Sequence, residues 1–401
     1  MSASLFARVD LAPRDPILGL NEQFQADPNP SKVNLGVGVY TDENGKLPLL
    51  ACVKEAENLL SESPKPRNYL PIDGIPAYDQ AVQALVFGTG SEALQAGRVV
   101  TVQALGGTGG LKLGADFLKR LNPAARVLIS DPSWENHRAL FEAAGFDVGT
   151  YPYYDAANRG IAFDAMLAAL NQAAPGTIVV LHACCHNPTG YDLTAGQWEQ
   201  VIAALAARNL VPFLDMAYQG FGEGIAEDGA VIQQFVASGL NFFVSTSFSK
   251  SFSLYGERVG ALSIVCTSKD EAARVLSQLK RVIRTNYSNP PTHGAQVVAM
   301  VLSTPALRAQ WEQELANMRE RIRGMRAALV DRLQAQGVKA DLGFITRQKG
   351  MFSYSGLNAE QMETLRTQYG IYGVSTGRIC VAALNSHNVD YVAKAMAAAM
   401  Q

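Results

Sequence analysis

A lysine attacks a carbonyl only when part of its population has lost its proton, and burial beside other cations is the usual way to achieve that. Lys250 stands in the segment SFSKSFSLYGERVG (247–260), at the end of a β-branched and aromatic run. Ser247 lies three residues before it and Arg258 eight after. Serine hydroxyls and an arginine fork suit a phosphate. A reactive amine beside a phosphate cradle is what a phosphate-bearing aldehyde cofactor, pyridoxal phosphate, requires. Taken alone, the segment also allows a plainer reading, a surface lysine in a serine-rich turn.

LVPFLDMAYQGF reads as a buried strand ending in Asp215. An acid there needs a cationic partner, because unpaired burial of charge is costly. A protonated pyridine nitrogen is such a partner and, kept protonated, makes the ring an electron sink. Tyr218, three residues on, is placed to donate to a phenolic oxygen of the same ring. The bland alternative is an aspartate that caps a turn. GGTGG (106–110) follows another strand pattern and opens a helix with apolar positions Leu111, Ala115, Leu118 and Leu121. Glycines there let backbone N–H groups approach a phosphate at the positive end of the helix. The segment lacks the ending of a P-loop and the spacing of a dinucleotide fingerprint, which disfavours a nucleotide.

In HACCHNPTG (182–190), His182, Cys184 and His186 share one face of an extended strand, as metal ligands would. Structural metal sites usually draw on two separated pairs, and the chain has no second pair, so no metal is expected. The preferred reading has Asn187 presenting its amide to a ligand while Pro188 fixes the turn. Trp134 in SDPSWENH (130–137) directly follows a strand, where its face could stack on a flat ring. Arg284 in IRTNYSNPP and Arg378 in TGRICVAALN stand beside turn-forming or strand-like sequence rather than within a charged helical face. Guanidinium forks bind carboxylates in a bidentate manner; an amino acid presents one carboxylate and a dicarboxylic acid two.

These residues need a scaffold. The 401 residues suggest two or three structural units. Apolar runs at 98–105, 125–131, 177–184, 210–218, 242–249 and 259–266 read as strands buried on both faces, which points to an α/β domain with a mostly parallel sheet. Most candidate residues fall at the C-terminal ends of those strands, where open α/β sheets bind ligands. Leu307, Trp311, Leu315, Met318, Ile322, Met325, Leu329 and Leu333 form a helical stripe of roughly 40 Å, a spine able to join two domains, with Gly337 as its stop. The remaining residues suggest a smaller α/β unit. Charged residues are only 17%, which favours an oligomer that hides surface. A net charge of −2 without a basic tract excludes nucleic acid and anionic membranes as electrostatic partners. No apolar run is long enough to cross a bilayer, and the N-terminus lacks the apolar centre of a secretory signal, so the expected location is cytoplasmic. Five scattered cysteines fit reduced thiols.

NLGVGVY, NYLPIDGIP, GGTGG, SDPSWENH, CCHNPTG, FLDMAYQGF, SFSKSFSLYGERVG, NYSNPP and GRICVAALN, in this order, resemble the motifs of class I, fold-type I pyridoxal-phosphate aminotransferases, in the aspartate and aromatic (tyrosine) branch. The resemblance implies that Lys250 holds the cofactor covalently, Asp215 meets its ring nitrogen with His137 behind, and Asn187 and Tyr218 reach its phenolic oxygen. It also implies that Trp134 stacks on the ring and that Gly107, Thr108, Ser247 and Arg258 hold the phosphate. Arg378 would clamp the substrate α-carboxylate beside Gly38. A neighbouring subunit of a homodimer would add Tyr69 and Arg284, the latter for a distal carboxylate. The implied layout is an arm at 1–12, a small domain from 13–46 and 311–401, and a large domain at 47–310. The expected reaction is ping-pong transfer from tyrosine, phenylalanine or aspartate to 2-oxoglutarate. A strict aspartate enzyme, a lyase on the same cofactor and a non-catalytic binding protein are the alternatives.

Overall fold

The apolar runs pair into one seven-stranded sheet in the computed structural model of the protein, which describes residues 4–401. The strands are β1 (Val99–Leu105), β2 (Arg126–Asp131), β3 (Asp147–Pro152), β4 (Ile178–His182), β5 (Val211–Met216), β6 (Phe242–Ser247) and β7 (Val259–Val265). Their spatial order is β1-β7-β6-β5-β4-β2-β3. β7 runs antiparallel to β1 and β6, and the other neighbouring pairs are parallel. This is the mixed, mostly parallel sheet that the sequence led us to expect. Every strand except β3 lies on an expected run. β3 is an edge strand whose sequence, DVGTYP, is only intermittently buried, so no continuous apolar run marks it.

Side-chain alternation gives the sheet two faces, each covered by helices. Phe213 of β5 shares a core with Leu111 and Phe117 of α1 (Gly106–Leu121) and with Leu140 and Phe141 of α2 (Glu135–Ala143). Leu214 and Met216 belong to the core on the opposite face. Asp215, two residues after Phe213, therefore points to the α1 and α2 side, where His137 lies one turn ahead of Phe141. The close seating of α1 requires glycine. A Cβ on Gly110 would lie 2.7 Å from Ser245 Oγ, and one on Gly114 would lie 2.4 Å from Phe213 Cζ.

Beyond the sheet, α3 (Lys269–Asn286) leads towards α4 (Pro305–Ala335), which realises the expected spine in 31 residues, ~46 Å. Pro305 opens α4 at a position that needs no N–H, and Gly337, at φ +82°, follows its end. One step of the stripe differs from expectation. Met325 is only partly buried, and Arg326 turns inward instead, 3% exposed. α4 packs against both the Ala51–Glu62 helix and α5 (Val389–Ala399). Glu314 on α4 accepts from the N–H groups of Ala51 and Cys52 at 2.7 and 3.0 Å, capping the first of those helices. Trp311 stacks on Phe252 at 4.7 Å and donates its indole N–H to the Ser251 carbonyl at 2.7 Å, so the spine grips the residues just after Lys250.

Near the C-terminus, Phe352–Tyr354 pairs antiparallel with Arg378–Cys380. Val33–Asn34 pairs in parallel with Ile371–Tyr372, and Thr41 donates to the Ala382 carbonyl at 3.1 Å. Residues 33–41 are thus stitched to the far end of the chain. The first three residues of the expected N-terminal arm lie outside the described residues; beyond them Leu5, Phe6, Val9 and Leu11 are exposed. All five cysteines are free and buried. No described helix is long and apolar enough to cross a membrane.

Trp311→Ala is expected to cost about 3–5 kcal/mol of stability through lost packing. Trp311→Phe should cost about 1–3 kcal/mol, because the buried Ser251 carbonyl loses its donor. Denaturant midpoints at constant slope check both values.

Candidate active site

The register of the parallel strands brings the C-terminal ends of β4, β5 and β6 level, with His182 opposite Asp215 and Asp215 opposite Ser245. Chain leaving these ends carries Asn187, Tyr218 and Lys250 into one cleft of about 170 Å³. Gly38, Gly107, Thr108, Trp134, Ser247, Arg258 and Arg378 line the same cleft. His137 sits directly behind Asp215. Two expected residues stay away from it. Tyr69 is 92% exposed, and Arg284 is exposed in the last turn of α3, bonded to Ser288. Arg284 is therefore on a helix, not in the turn-like setting its sequence suggested; a cation in a last turn suits the helix dipole. A larger groove of about 740 Å³ lies near Lys32 and Tyr391, but the Lys32 amine there is bound to the carbonyls of Phe24 and Asp27.

Asp215 is 6% exposed, with a carboxylate oxygen 2.8 Å from His137 Nε2. His137 Nδ1 lies 2.8 Å from Ser133 Oγ, which fixes the ring. Burial pushes the Asp215 carboxyl up, but the His137 hydrogen bond and the positive charge around it outweigh burial, and the pKa settles below the usual aspartate value. Lys250 moves from 10.5 to about 8. Burial is the main cause, Arg258 and Arg378 add to it, and Asp215 opposes it. At pH 7 roughly one such amine in ten is unprotonated.

His182 is packed between the rings of His137 and His186 at 5.0 and 4.3 Å, and neither of its nitrogens has a partner. Burial lowers its pKa to about 3, so it is neutral. His186 is committed at both nitrogens, to Ser130 Oγ at 2.9 Å and Thr189 Oγ1 at 2.8 Å, and stacks on Tyr153. The trio His182, Cys184 and His186 consequently does not form a ligand set. His137, His182 and Asp215 do converge within 4.8 Å, with the His137–Asp215 contact already spent on each other.

Two places can hold anions. The first turn of α1 has no side-chain cap, and Gly107 and Thr108 of that turn line the cleft beside Ser247 and Arg258. Arg378, 4% exposed, donates to Asn187 Oδ1 at 3.1 Å and to the Gly36 carbonyl at 2.6 Å, while its buried Nε has no partner. The cleft also contains Ile17, Ser249 and Phe352, which the sequence reading did not single out, and Leu111, which it read only as an apolar helix position. Ser249 could have been found from its two-residue spacing after Ser247. Nothing local marks Phe352, whose ring lies 4.3 Å from the Arg378 guanidinium carbon and edge-on to Tyr218 at 5.9 Å.

A partly neutral lysine facing an ionised buried acid, at the carboxyl ends of a mostly parallel sheet with an anion cradle beside it, defines a pyridoxal-phosphate-dependent transferase of fold type I. Residues 30–396 match the family model of aminotransferase class I and II. An aspartate aminotransferase of Pseudomonas aeruginosa is 66% identical over 98% of this chain and 99% of its own length. The aromatic-amino-acid aminotransferase of Escherichia coli K12 is 51% identical over 99% of this chain and all of its own. The crystal structure of an aromatic-amino-acid aminotransferase from Burkholderia pseudomallei, covalently bound to pyridoxal phosphate, superposes with a TM-score of 0.97 at 67% identity, covering both chains fully. The chain belongs to the class I and II aminotransferases and is a pyridoxal-phosphate-dependent transaminase.

In protein stripped of cofactor, reductive alkylation of Lys250, followed by peptide mass spectrometry, is expected to accelerate as pH rises through about 8. Asp215→Asn should lower that midpoint, since the anion that favours the ammonium form is gone. A midpoint near the ordinary 10.5 would contradict the reading of the cleft.

Proposed function

We propose that the protein transfers the amino group of tyrosine, phenylalanine and aspartate to 2-oxoglutarate in two alternating half-reactions. The observation that carries this reading is one cleft lined by Lys250, Asp215, Arg258 and Arg378, where burial and the two arginines lower the lysine to about 8. When bound, pyridoxal phosphate supplies an aldehyde that accepts the amino group and a ring that draws electrons from the substrate α-carbon. Lys250 would be its covalent anchor, and its amine would also serve as the base that moves the substrate α-proton. Asp215, held ionised by His137, would keep a proton on the ring nitrogen. Asn187 and Tyr218 would hold the phenolic oxygen, and Trp134 would stack on the ring. The N–H groups of Gly107 and Thr108, with Ser247 and Arg258, hold the phosphate.

Arg378 binds the substrate α-carboxylate, and its unpartnered Nε is a donor in want of an acceptor. Gly38 lets the Phe352 ring seat over Arg378, because a Cβ there would come 2.6 Å from Phe352 Cζ. Apolar walls from Ile17, Leu111 and Phe352 suit an aromatic ring. A distal carboxylate needs a further cation. We assign it to Arg284 of a second copy, with Tyr69 of that copy reaching the phosphate, in a homodimer with shared sites. The exposed Leu5, Phe6, Val9, Leu11 and Tyr69 support such a dimer. Stitching of residues 33–41 to the C-terminal strands supports a small domain made of 13–46 and 311–401, with an arm at 1–12 and a large domain at 47–310. For an aromatic substrate, Arg284 swings aside. A strict aspartate aminotransferase is the second reading, favoured by the Pseudomonas aeruginosa relative.

Lys250→Ala is expected to lose at least about 10³-fold in turnover together with the visible absorbance of the attached cofactor; wild-type protein that stays colourless with pyridoxal phosphate would sink the proposal. Arg284→Ala should cost aspartate about a hundredfold in kcat/KM, about 3 kcal/mol, and tyrosine less than about tenfold. Comparable losses for both would argue against the swing. Hybrids of the Lys250→Ala and Arg284→Ala chains should regain aspartate turnover, because one of their sites then has both residues. Hybrids without activity would count against shared sites.

A further inference from the structure

Arg326, the residue that breaks the apolar stripe of α4, is as deeply buried as Arg378, and no carboxylate answers it. Its guanidinium donates from Nε to Ser353 Oγ at 3.1 Å, and from one terminal nitrogen to the carbonyls of Gly350 at 2.7 Å and Phe352 at 3.1 Å. Taking a guanidinium into a core is costly unless its donors are well used. A leucine or methionine would continue the stripe without that cost. Burial lowers the Arg326 pKa only to about 10, so the group remains a cation at neutral pH.

Its charge is spent on one backbone segment, and that segment is clamped from the other side as well. Lys349 donates its N–H to the Gly190 carbonyl at 2.6 Å. Gly350, at φ +80°, packs where a Cβ would lie 2.6 Å from Cys185 Cβ. The segment carries Phe352, whose ring covers the Arg378 guanidinium, meets Tyr218 edge-on and fills the space beside Gly38. Phe352–Tyr354 is also the strand partner of Arg378–Cys380, so a shift of this backbone would move the pocket wall and the carboxylate fork together.

We propose that Arg326 is a positioning residue for the substrate pocket: by holding the carbonyls of Gly350 and Phe352 it sets the Phe352 ring over Arg378 and so determines how well a carboxylate with an apolar side chain fits. The inference rests on the reading of Arg378 as the carboxylate site. It is distinct from a general stabilising role, which would lower protein stability without changing the fit.

The test uses the holoenzyme with Arg326→Lys, Ser353→Ala, Phe352→Leu and the double variant Arg326→Lys/Phe352→Leu. Calorimetry with 3-phenylpropionate, an aromatic carboxylate that has no amino group to give, accompanies steady-state kinetics with tyrosine. Arg326→Lys is expected to weaken 3-phenylpropionate and raise KM by about tenfold, with kcat falling less than about threefold and the visible spectrum unchanged. Ser353→Ala, which keeps the charge and removes one contact, gives a smaller loss of the same kind. The double variant binds no worse than Phe352→Leu alone, because both changes act on one ring. If Arg326→Lys does not fold, the cycle of Ser353→Ala with Phe352→Leu carries the same comparison. The proposal is overturned if binding and KM stay within about twofold of wild type, if the losses multiply in the double variant, or if kcat falls as far as KM rises. Unchanged 3-phenylpropionate binding by Arg378→Ala would instead overturn the carboxylate-site reading beneath it.

Discussion

Two ionisable groups share one desolvated cleft and have to be driven in opposite directions. Asp215 must stay charged where burial disfavours charge, and Lys250 must give up its charge while facing that anion. A low dielectric strengthens every pairwise term, so the outcome depends on which neighbours lie closest. For Asp215 the deciding neighbour is His137 at 2.8 Å. For Lys250, burial and the two arginines prevail over the pull of Asp215, and the balance is a pKa of about 8. Exchanging Asp215 or Lys250 for a neutral group would shift the other, because each carries part of the other's field.

That balance is set by backbone geometry before any side chain is chosen. Parallel pairing puts His182, Asp215 and Ser245 in line across three strands, and period-two alternation sends Asp215 to the side where α2 brings His137. The same edge lies beside the start of α1, whose glycines allow the helix to settle against β6 and β7. An uncapped helix start beside an arginine, an acid and an amine therefore arise at one end of one sheet, the place where parallel sheets leave their strand ends open.

The other wall of the cleft comes from a different part of the chain. Arg378, Phe352 and Gly38 belong to the stitched N- and C-terminal segments, and α4 joins them to the sheet, gripping the chain after Lys250 through Trp311 and the Phe352 segment through Arg326. A single helix thus touches both halves of the cleft. Its buried arginine is unusual as packing but understandable as a clamp on the carbonyls of Gly350 and Phe352.

Much of this was legible in the sequence because it is local. The ends of apolar runs mark strand ends, and those ends carry Asp215, Asn187 and Lys250; GGTGG announces a helix start next to a strand. The spine was visible from its spacing. The less legible parts are those set by packing across long separations. β3 has no apolar run to mark it, Arg284 proved helical, and the inward turn of Arg326 in place of Met325 depends on carbonyls 24 to 26 residues away. His137 and Asp215 stand 78 residues apart, and only a family resemblance brought them together beforehand. By itself, the sequence determined which chemical groups stand at the strand ends, since side-chain alternation and run boundaries are properties of neighbouring residues. The tertiary structure alone decided which of those groups meet, and at what protonation, since contact distance and desolvation exist only once helices have packed onto the sheet.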